Sequence, residues 1–278
     1  MQKPKTRHIR RVFGFYVIIY LIMATWSSKR QFLYFSYVFG FFAPIAIILL
    51  IIYWPRPTCF DQKKNQDETG IDCGGSCQLA CTAEVIPLRV YWARPLLVSD
   101  GVYDVMASVE NGNTTLGARE IKYEIYLYGQ NNLLLAKREG KTFVNPGEKF
   151  YVFESLINVG KSEATMAVIN FSPSAVWEKA LAVPKNILLE RKDFSRQPTP
   201  HLSLQVENTS LNEIQNIKLY AVLSDVNGNA FAGSATVLDR LTGGEKKDVF
   251  FTWPKDFTED PSFIDFGWRI NGFEELVK

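Results

Sequence analysis

The chain has 278 residues, of which 47% are hydrophobic and 22% are charged, a composition typical of a folded protein. Residues 1–31 carry seven Lys or Arg and no acidic side chain, whereas residues 55–278 carry 24 basic and 29 acidic ones. This acidic balance, without a stripe of cations, argues against a nucleic-acid partner, because phosphates require clustered Lys and Arg. The basic tip is typical of the cytoplasmic flank of a membrane segment.

The first element predicted with a clear pattern is a membrane-spanning helix over residues 32–54, preceded by a basic cytoplasmic leader over residues 1–31. The 23 residues from Phe32 to Trp54 include no charged side chain. As a helix they would extend roughly 35 Å, which exceeds the hydrocarbon thickness of about 30 Å. Aromatic residues near both ends suit the two membrane interfaces, and Pro44 is tolerated in membrane helices.

A second apolar run, residues 12–26, leaves three interpretations open. Its 15 residues are fewer than the ~20 needed for a span. It could form a hairpin with the first span, which would return everything after Trp54 to the cytoplasm. It could instead lie along the membrane surface, or the natural chain could start at Met23, so that residues 1–22 are absent.

All four cysteines lie in the next segment, residues 55–83, which we call the collar. Cys59, Cys73, Cys77 and Cys81 are separated by 13, 3 and 3 residues. This density in a short, polar segment predicts two disulfides of unknown pairing. A zinc site and free thiols are the alternatives. Because disulfides require an oxidising compartment, the prediction favours a single span with the C-terminal part outside the membrane.

The collar also contains oxygen ligands suited to calcium. Asp61, Asn65, Asp67, Glu68 and Asp72 lie between the first two cysteines, and hard cations prefer carboxylate and carbonyl oxygens. The alternative, which we prefer, is that these side chains make polar turns between the bridges. No cofactor is therefore favoured, and Asp61, Asn65, Asp67 and Asp72 remain calcium candidates.

The collar sequence Cys59-Phe-Asp-x3-Asn-Gln-Asp-Glu-Thr-Gly-Ile-Asp-Cys73-Gly-Gly-x-Cys77-x3-Cys81 resembles a cysteine motif of bacterial surface proteins. In those proteins the motif often follows a membrane anchor or separates extracellular modules. This chain has Gln62 where the usual motif has Gly, and three residues between its last two cysteines where two are usual. The resemblance implies a location just outside a membrane anchor and implies no chemistry.

The rest of the chain contains an internal repeat with an offset of 97 residues. Val90–Asn111 aligns without a gap on Ile187–Asn208, and both segments end in Val-Glu-Asn. The repeat recurs at Pro146-Gly-Glu-Lys149 and Gly243-Gly-Glu-Lys246. Two related units of about 95 residues indicate tandem modules, because a solenoid normally needs three or more repeats.

Each unit has the period-two pattern of β-strands. In the first unit Ile121, Tyr123, Ile125 and Leu127 alternate with more polar residues, and turn sequences such as Asn227-Gly228 separate such runs in both units. We therefore predict a mainly β protein with two tandem Ig-like antiparallel β-sandwiches, residues 84–181 and 182–278.

The units also resemble Ig-like modules of the FxLYD type. The residues that carry this resemblance are Ile125-x-Leu127-Tyr128-Gly129 in the first unit and Ala221-x-Leu223-Ser224-Asp225 in the second. Such modules occur in bacterial and archaeal envelope proteins. The resemblance implies a sandwich fold in the cell envelope.

Catalytic patterns are absent from the sequence, so we expect a non-catalytic protein. His201 is the one histidine outside the basic leader, and a lone histidine makes no catalytic set. Glu110 and Glu207 occupy equivalent strand ends of the two units, which indicates a scaffold role. Aromatic residues could form a contact patch, although most are expected in the cores: Trp92, Tyr126, Tyr128, Trp177 and Trp253.

We expect a single-pass membrane protein that displays two β-sandwiches outside the membrane and binds the lipid bilayer and a protein or cell-envelope polymer. One alternative is an accessory subunit of a membrane complex with the sandwiches in the cytoplasm. The other is an envelope hydrolase, which would require a pair of carboxylates in a cleft.

Overall fold

The computed structural model describes residues 26–53, 58–258 and 260–274, and it divides into residues 1–57 and residues 58–278. The first part contains helix α1, Trp26–Tyr53. The helix begins six residues before the predicted start, because the prediction followed the loss of charge, and Ser, Lys, Arg and Gln are compatible with a helix. Trp54 and residues 12–25 of the second apolar run lie outside the described residues.

Helix α1 is long and apolar enough to cross a membrane, as an anchor or as part of a signal sequence. Its most apolar stretch is not buried by other parts of the protein. A helix with this surface requires an apolar surrounding, so the interpretation as a core helix of a soluble domain is disfavoured.

The second part is mainly β, as predicted. Its strands among the described residues are β1 (Arg89–Ser99), β2 (Val102–Glu110), β3 (Leu116–Tyr128), β4 (Leu134–Val144), β5 (Lys149–Asn158), β6 (Met166–Phe171), β7 (Glu178–Lys179), β8 (Ile187–Ser195), β9 (His201–Asn208), β10 (Ile214–Ser224), β11 (Ala230–Leu241), β12 (Lys246–Thr252) and β13 (Phe263–Arg269).

These strands form two antiparallel β-sandwiches with matching strand orders. In sandwich 1, sheet I has the order β1-β2-β5, and sheet II has the order β4-β3-β6 with β7 beside β3. In sandwich 2, sheet III has the order β8-β9-β12 and sheet IV has the order β11-β10-β13. First, second and fifth strands thus share one sheet in each sandwich, and third, fourth and sixth strands share the other.

Each sandwich has its own hydrophobic core between its two sheets. The alternating residues Ile121, Tyr123, Ile125 and Leu127 of β3 are all buried in the first core. The second core includes the corresponding apolar residues of β9 and β10. The period-two pattern therefore identified the inward-facing rows, because successive strand side chains point to opposite faces of a sheet.

A third cluster of buried residues joins the outer face of sheet I to sheet IV. Leu96 and Met106 of sandwich 1 pack with Val222 and Ala230 of sandwich 2. A Cβ atom on Gly233 would lie 2.9 Å from Leu96 Cδ1 and 3.1 Å from Met106 Sδ, so glycine permits the close approach of the two sandwiches. The central strands β2 and β10 are therefore buried on both faces over part of their length.

Residues at and just after the end of β13 add polar contacts between the two sandwiches. Arg269, at the end of β13, is 4% exposed and donates to both carboxylate oxygens of Glu148, at 2.9 and 3.0 Å. The same guanidinium donates to the carbonyl of Phe143 at 2.8 Å and lies over its ring. Asn145 donates to the carbonyl of Ile270 at 2.9 Å. The loop between β4 and β5 is thus held by sandwich 2.

The Val-Glu-Asn sequence of the repeat ends in a buried asparagine that organises equivalent loops. Asn111 Nδ2 donates to the carbonyls of Leu116 and Asn145, both at 2.8 Å. Asn208 Nδ2 donates to the carbonyls of Asn212 at 2.7 Å and Leu241 at 3.0 Å. Both asparagines are at most 1% exposed, and each binds one buried backbone carbonyl, that of Asn145 or of Leu241, which needs a partner inside the protein.

Candidate functional site

The collar cysteines form two disulfides, as predicted, and the structure assigns their pairing. Cys59 is bonded to Cys77, and Cys73 is bonded to Cys81. The two closed loops overlap, because Cys73 lies within the loop that the first bond closes. A segment with few apolar residues is thereby fixed without a hydrophobic core of its own.

The calcium candidates are engaged mainly in local hydrogen bonds. The carboxylate of Asp72 accepts the backbone N–H groups of Asp61 and Gln62, the nearest at 2.9 Å. Burial opposes the ionisation of Asp61. Hydrogen bonds from Asn65 and from backbone N–H groups nevertheless lower the pKa of Asp61. Asp67 accepts the hydroxyl of Ser76 at 2.7 Å, which lowers its pKa.

These carboxylates do not converge as a set. Within the described ranges, the group of Cys, His, Asp or Glu ligand atoms that lie within 4.8 Å of one another comprises Cys59, Glu68 and Cys77. Both of its sulfurs are in a disulfide, which leaves Glu68 as its free ligand. Asn65 Oδ1 is buried without a hydrogen-bond partner in the described structure. Calcium binding by Asp61, Asn65, Asp67 and Asp72 stays the less preferred alternative to polar turns.

The collar packs against sandwich 1 through β7. The N–H of Ala80 donates to the carbonyl of Trp177 at 2.9 Å, and the N–H of Lys179 donates to the carbonyl of Gln78 at 2.8 Å. Glu178 of β7 is paired with Arg119 of β3, with 2.6 Å between Nε and Oε1. The collar thus continues the hydrogen-bonding of sheet II.

The residues considered for catalysis are in separate places. His201 Nδ1 lies 3.0 Å from the carbonyl of Thr199. Glu110 accepts the hydroxyl of Tyr91 at 2.6 Å, and Glu207 pairs with Lys246 at 3.0 Å. Each contact ties neighbouring segments of one sheet or loop, which is what a scaffold role requires.

The aromatic candidates divide into buried and half-buried residues. Trp177 and Trp253 are 9% and 6% exposed and belong to the two cores, as expected. Trp92 packs on Tyr151 at the junction, with ring centroids 5.6 Å apart. Tyr126 and Tyr128 lie side by side on the outer face of sheet II, with centroids 6.4 Å apart.

Two concave regions are notable. The wider, of about 710 Å³, is an open hollow over the outer face of sheet II. Its charges are largely matched, because Glu124 accepts from Lys137 at 2.7 Å and Lys141 donates to Glu120 at 2.8 Å. The smaller is a cleft of about 240 Å³ between the two sandwiches. The cleft has the better chemistry for a ligand, and sequence reasoning missed it.

Sandwich 1 lines the cleft with Leu96 and Asp104, and sandwich 2 lines it with Phe231, Trp253 and Phe257. We call these three aromatic residues the aromatic wall. Phe257 packs edge-to-face on both other rings, with centroid distances of 5.4 Å to Phe231 and 5.7 Å to Trp253. Burial raises the pKa of the Asp104 carboxyl, and a hydrogen bond from the N–H of Leu156 acts in the opposite direction.

Comparison with known proteins adds little. No family model and no curated protein matches the chain. The crystal structure of red sea bream transglutaminase is 13% identical over 66% of this chain and 29% of its own length, with a TM-score of 0.20. A structure of allantoicase is 10% identical over 66% of this chain and 86% of its own, with a TM-score of 0.13. At these TM-scores neither supports an inference about fold or function.

Proposed function

We propose that this is a membrane-anchored, non-catalytic protein that displays two β-sandwiches on the outer side of the cell membrane, where they bind a protein or envelope polymer. The observation that carries the proposal is the collar, because all four cysteines pair as disulfides immediately after an apolar helix. Such bonds persist in an oxidising compartment and are rare in the cytosol.

The distribution of charge and the collar motif support the same topology. Seven basic residues precede the span and none of the first 31 residues is acidic, which favours a cytoplasmic N-terminus. The collar resembles the cysteine motif of bacterial surface proteins, and the Ig-like sandwiches resemble FxLYD modules of cell envelopes. The non-catalytic part of the proposal is supported by His201, Glu110 and Glu207, which lie apart and are each engaged in a local contact.

The topology is tested by cysteine labelling of intact bacterial cells with a membrane-impermeant maleimide. Lys161→Cys adds an exposed thiol to sandwich 1, and Lys3→Cys adds one to the basic leader. We expect Lys161→Cys to be labelled on intact cells and Lys3→Cys to be labelled only after lysis. The four collar cysteines should react only after reduction.

Labelling of Lys161→Cys only after lysis would assign the sandwiches to the cytoplasm and overturn the proposal, whichever way Lys3→Cys is labelled. Free collar thiols in the intact chain, found by mass after alkylation, would remove its main support. The pairing has its own test, because Cys59→Ser should free Cys77 and leave the Cys73–Cys81 bond intact.

A further inference from the structure

The cleft between the sandwiches combines a carboxylate with aromatic surfaces. Asp104 lies at its sandwich 1 side, and the aromatic wall lies at its sandwich 2 side. Its volume of about 240 Å³ is below the 300–1,000 Å³ of typical sites for drug-sized molecules. A single side chain or a small amine therefore suits it better than a larger ligand.

Asp104 has no cationic partner in the described structure. Its carboxylate accepts the N–H of Leu156 at 2.8 Å, and no salt bridge joins it to a cationic side chain among the described residues. Of the other two charged residues that line the cleft, Asp256 is already paired with Arg196 at 2.8 Å, and Lys255 is exposed at the rim. A half-buried carboxylate without a cation is costly unless something else compensates for it.

The backbone around Asp104 is also unusual. Leu156, whose N–H binds Asp104, has a φ of +55°, a conformation that a leucine rarely adopts. It lies where the pairing of β2 with β5 is irregular, between Tyr103 and Val105. Strained backbone that holds one polar side chain is found preferentially at ligand sites.

We propose that this cleft binds an organic cation, an alkylammonium or quaternary ammonium group, between Asp104 and the aromatic wall. The carboxylate supplies the opposite charge, and the aromatic faces attract the cation through their quadrupoles. The ligand chemistry has two sources, a lysine side chain of a partner polypeptide or a free quaternary ammonium compound such as choline. The proposal is independent of the side of the membrane on which the sandwiches lie.

The test is a titration of the full-length chain in a maltoside detergent, which contains no ammonium group. The probes are choline and the tripeptide acetyl-Gly-Lys-Gly-amide, which represent the two sources. Their neutral isosteres are 3,3-dimethylbutan-1-ol and acetyl-Gly-(2-aminoheptanoyl)-Gly-amide, in which carbon replaces the charged nitrogen. Binding is read from the NMR signal of the Trp253 indole N–H, which donates to the carbonyl of Gly233 at 3.1 Å, with the Trp177 indole as the internal reference.

We expect at least one cation to bind, and its neutral isostere to bind roughly tenfold more weakly or not at all. Asp104→Asn keeps the size of the side chain and should weaken cation binding roughly tenfold. Phe257→Leu should weaken it roughly three- to tenfold. The matched control is Asp248→Asn, which replaces an exposed carboxylate on β12. It should leave the affinity for the cation unchanged.

Which cation binds identifies the source, and either result supports the proposal. Equal affinities for a cation and its isostere would overturn it, because the cleft would then be an apolar notch. Unchanged cation binding in folded Asp104→Asn would also overturn it, as would the absence of any shift of the Trp253 signal with both cations at 50 mM, roughly the concentration range of weak single-group binding.

Discussion

Sheets I and III have the same strand order, but the outer face of sheet I is covered by sandwich 2 and the outer face of sheet III is open. On sheet I the adjacent residues Trp92, Ser108 and Tyr151 lie at the junction with sandwich 2. On sheet III the residues at the matching pairing positions are Glu190, Gln205 and Asp248.

Two residue pairs further along, at the next outward-facing position, the difference continues. Met106 and Phe153 of sheet I correspond to Ser203 and Phe250 of sheet III. Met106 is fully buried, whereas Phe250 is 63% exposed. The comparison teaches that inward-facing residues specify the sandwich, while a few outward-facing residues decide whether a sheet also docks to a neighbour.

Sheets IV and II show the same contrast between a covered and an open outer face. Tyr220 on sheet IV packs edge-to-face on Tyr151 at a centroid distance of 4.8 Å. At the matching position of sheet II the chain has Glu124, which lies on an open face and accepts from Lys137. Each sandwich therefore offers one apolar outer face, and the two apolar faces are opposed in the junction.

The largest effect is expected at the buried ion pair between Arg269 and Glu148. Arg269→Met leaves the Glu148 carboxylate, whose side chain is 15% exposed, without its partner and should cost about 3–5 kcal/mol of unfolding free energy. The matching glutamate of sandwich 2 is Glu245, whose exposed partner is Lys247. Lys247→Met should cost less than about 1 kcal/mol. Urea unfolding of the solubilised chain, followed by tryptophan fluorescence, measures both.

Glu245 and Glu148 differ in whether a residue distant in the chain binds their carboxylate. Hydrogen bonds from the hydroxyl and N–H of Thr242 lower the pKa of Glu245 to about 2, so its loop is closed locally. Glu148 makes the corresponding bond to the N–H of Asn145 and additionally binds Arg269. Equal costs for the two variants would show that Arg269 has no special role in the junction.

The second prediction exchanges residues between the two outer faces. Met106→Ser introduces the residue that sheet III has at this position and should cost about 2–5 kcal/mol, because it opens a cavity in the junction. The reciprocal Ser203→Met lies outside the junction and should change stability by no more than about 0.5 kcal/mol. If both variants lost similar stability in urea, the junction would not explain the difference between the faces.

The third prediction concerns a position at which the sandwiches are alike. Asn111→Ala and Asn208→Ala each leave one buried backbone carbonyl, that of Asn145 or of Leu241, without its side-chain donor and remove a second, half-buried hydrogen bond, which should cost about 1–3 kcal/mol per variant. Urea unfolding should show comparable losses for the two. A large loss for one and none for the other would contradict an equivalent role in the repeat.

The smallest effect is expected for Asp104, which sandwich 2 replaces with His201. Burial raises the pKa of Asp104 above its unfolded value, so its contribution to stability is greatest below the unfolded pKa and is lost as pH rises through the folded pKa. Asp104→Asn should therefore be more stable than the parent chain at pH 7, with the difference shrinking toward pH 3.5.

Urea midpoints at both pH values measure this difference. Asp248→Asn, in which the carboxylate is exposed, should follow the parent chain at both. A stability gain for Asp104→Asn that was the same at pH 3.5 and pH 7 would show that ionisation is not its cause.

The sequence determined the elements whose causes are local. An uncharged stretch longer than the hydrocarbon thickness predicted an apolar helix, and the density of cysteines predicted two disulfides. Alternation over Ile121–Leu127 predicted buried rows, because strand side chains alternate between the two faces. The helix start at Trp26 was missed, since absence of charge marks an apolar segment and helix formation does not require it.

Only the tertiary structure decided what depends on residues distant in the chain. The pairing of Cys59 with Cys77 had two alternatives that spacing could not separate. Arg269 reaches a glutamate 121 residues away, and Asp104 shares a cleft with Trp253 because two sheets meet. Period-two patterns report which side of a strand is apolar, and they carry no information about which other surface will cover it.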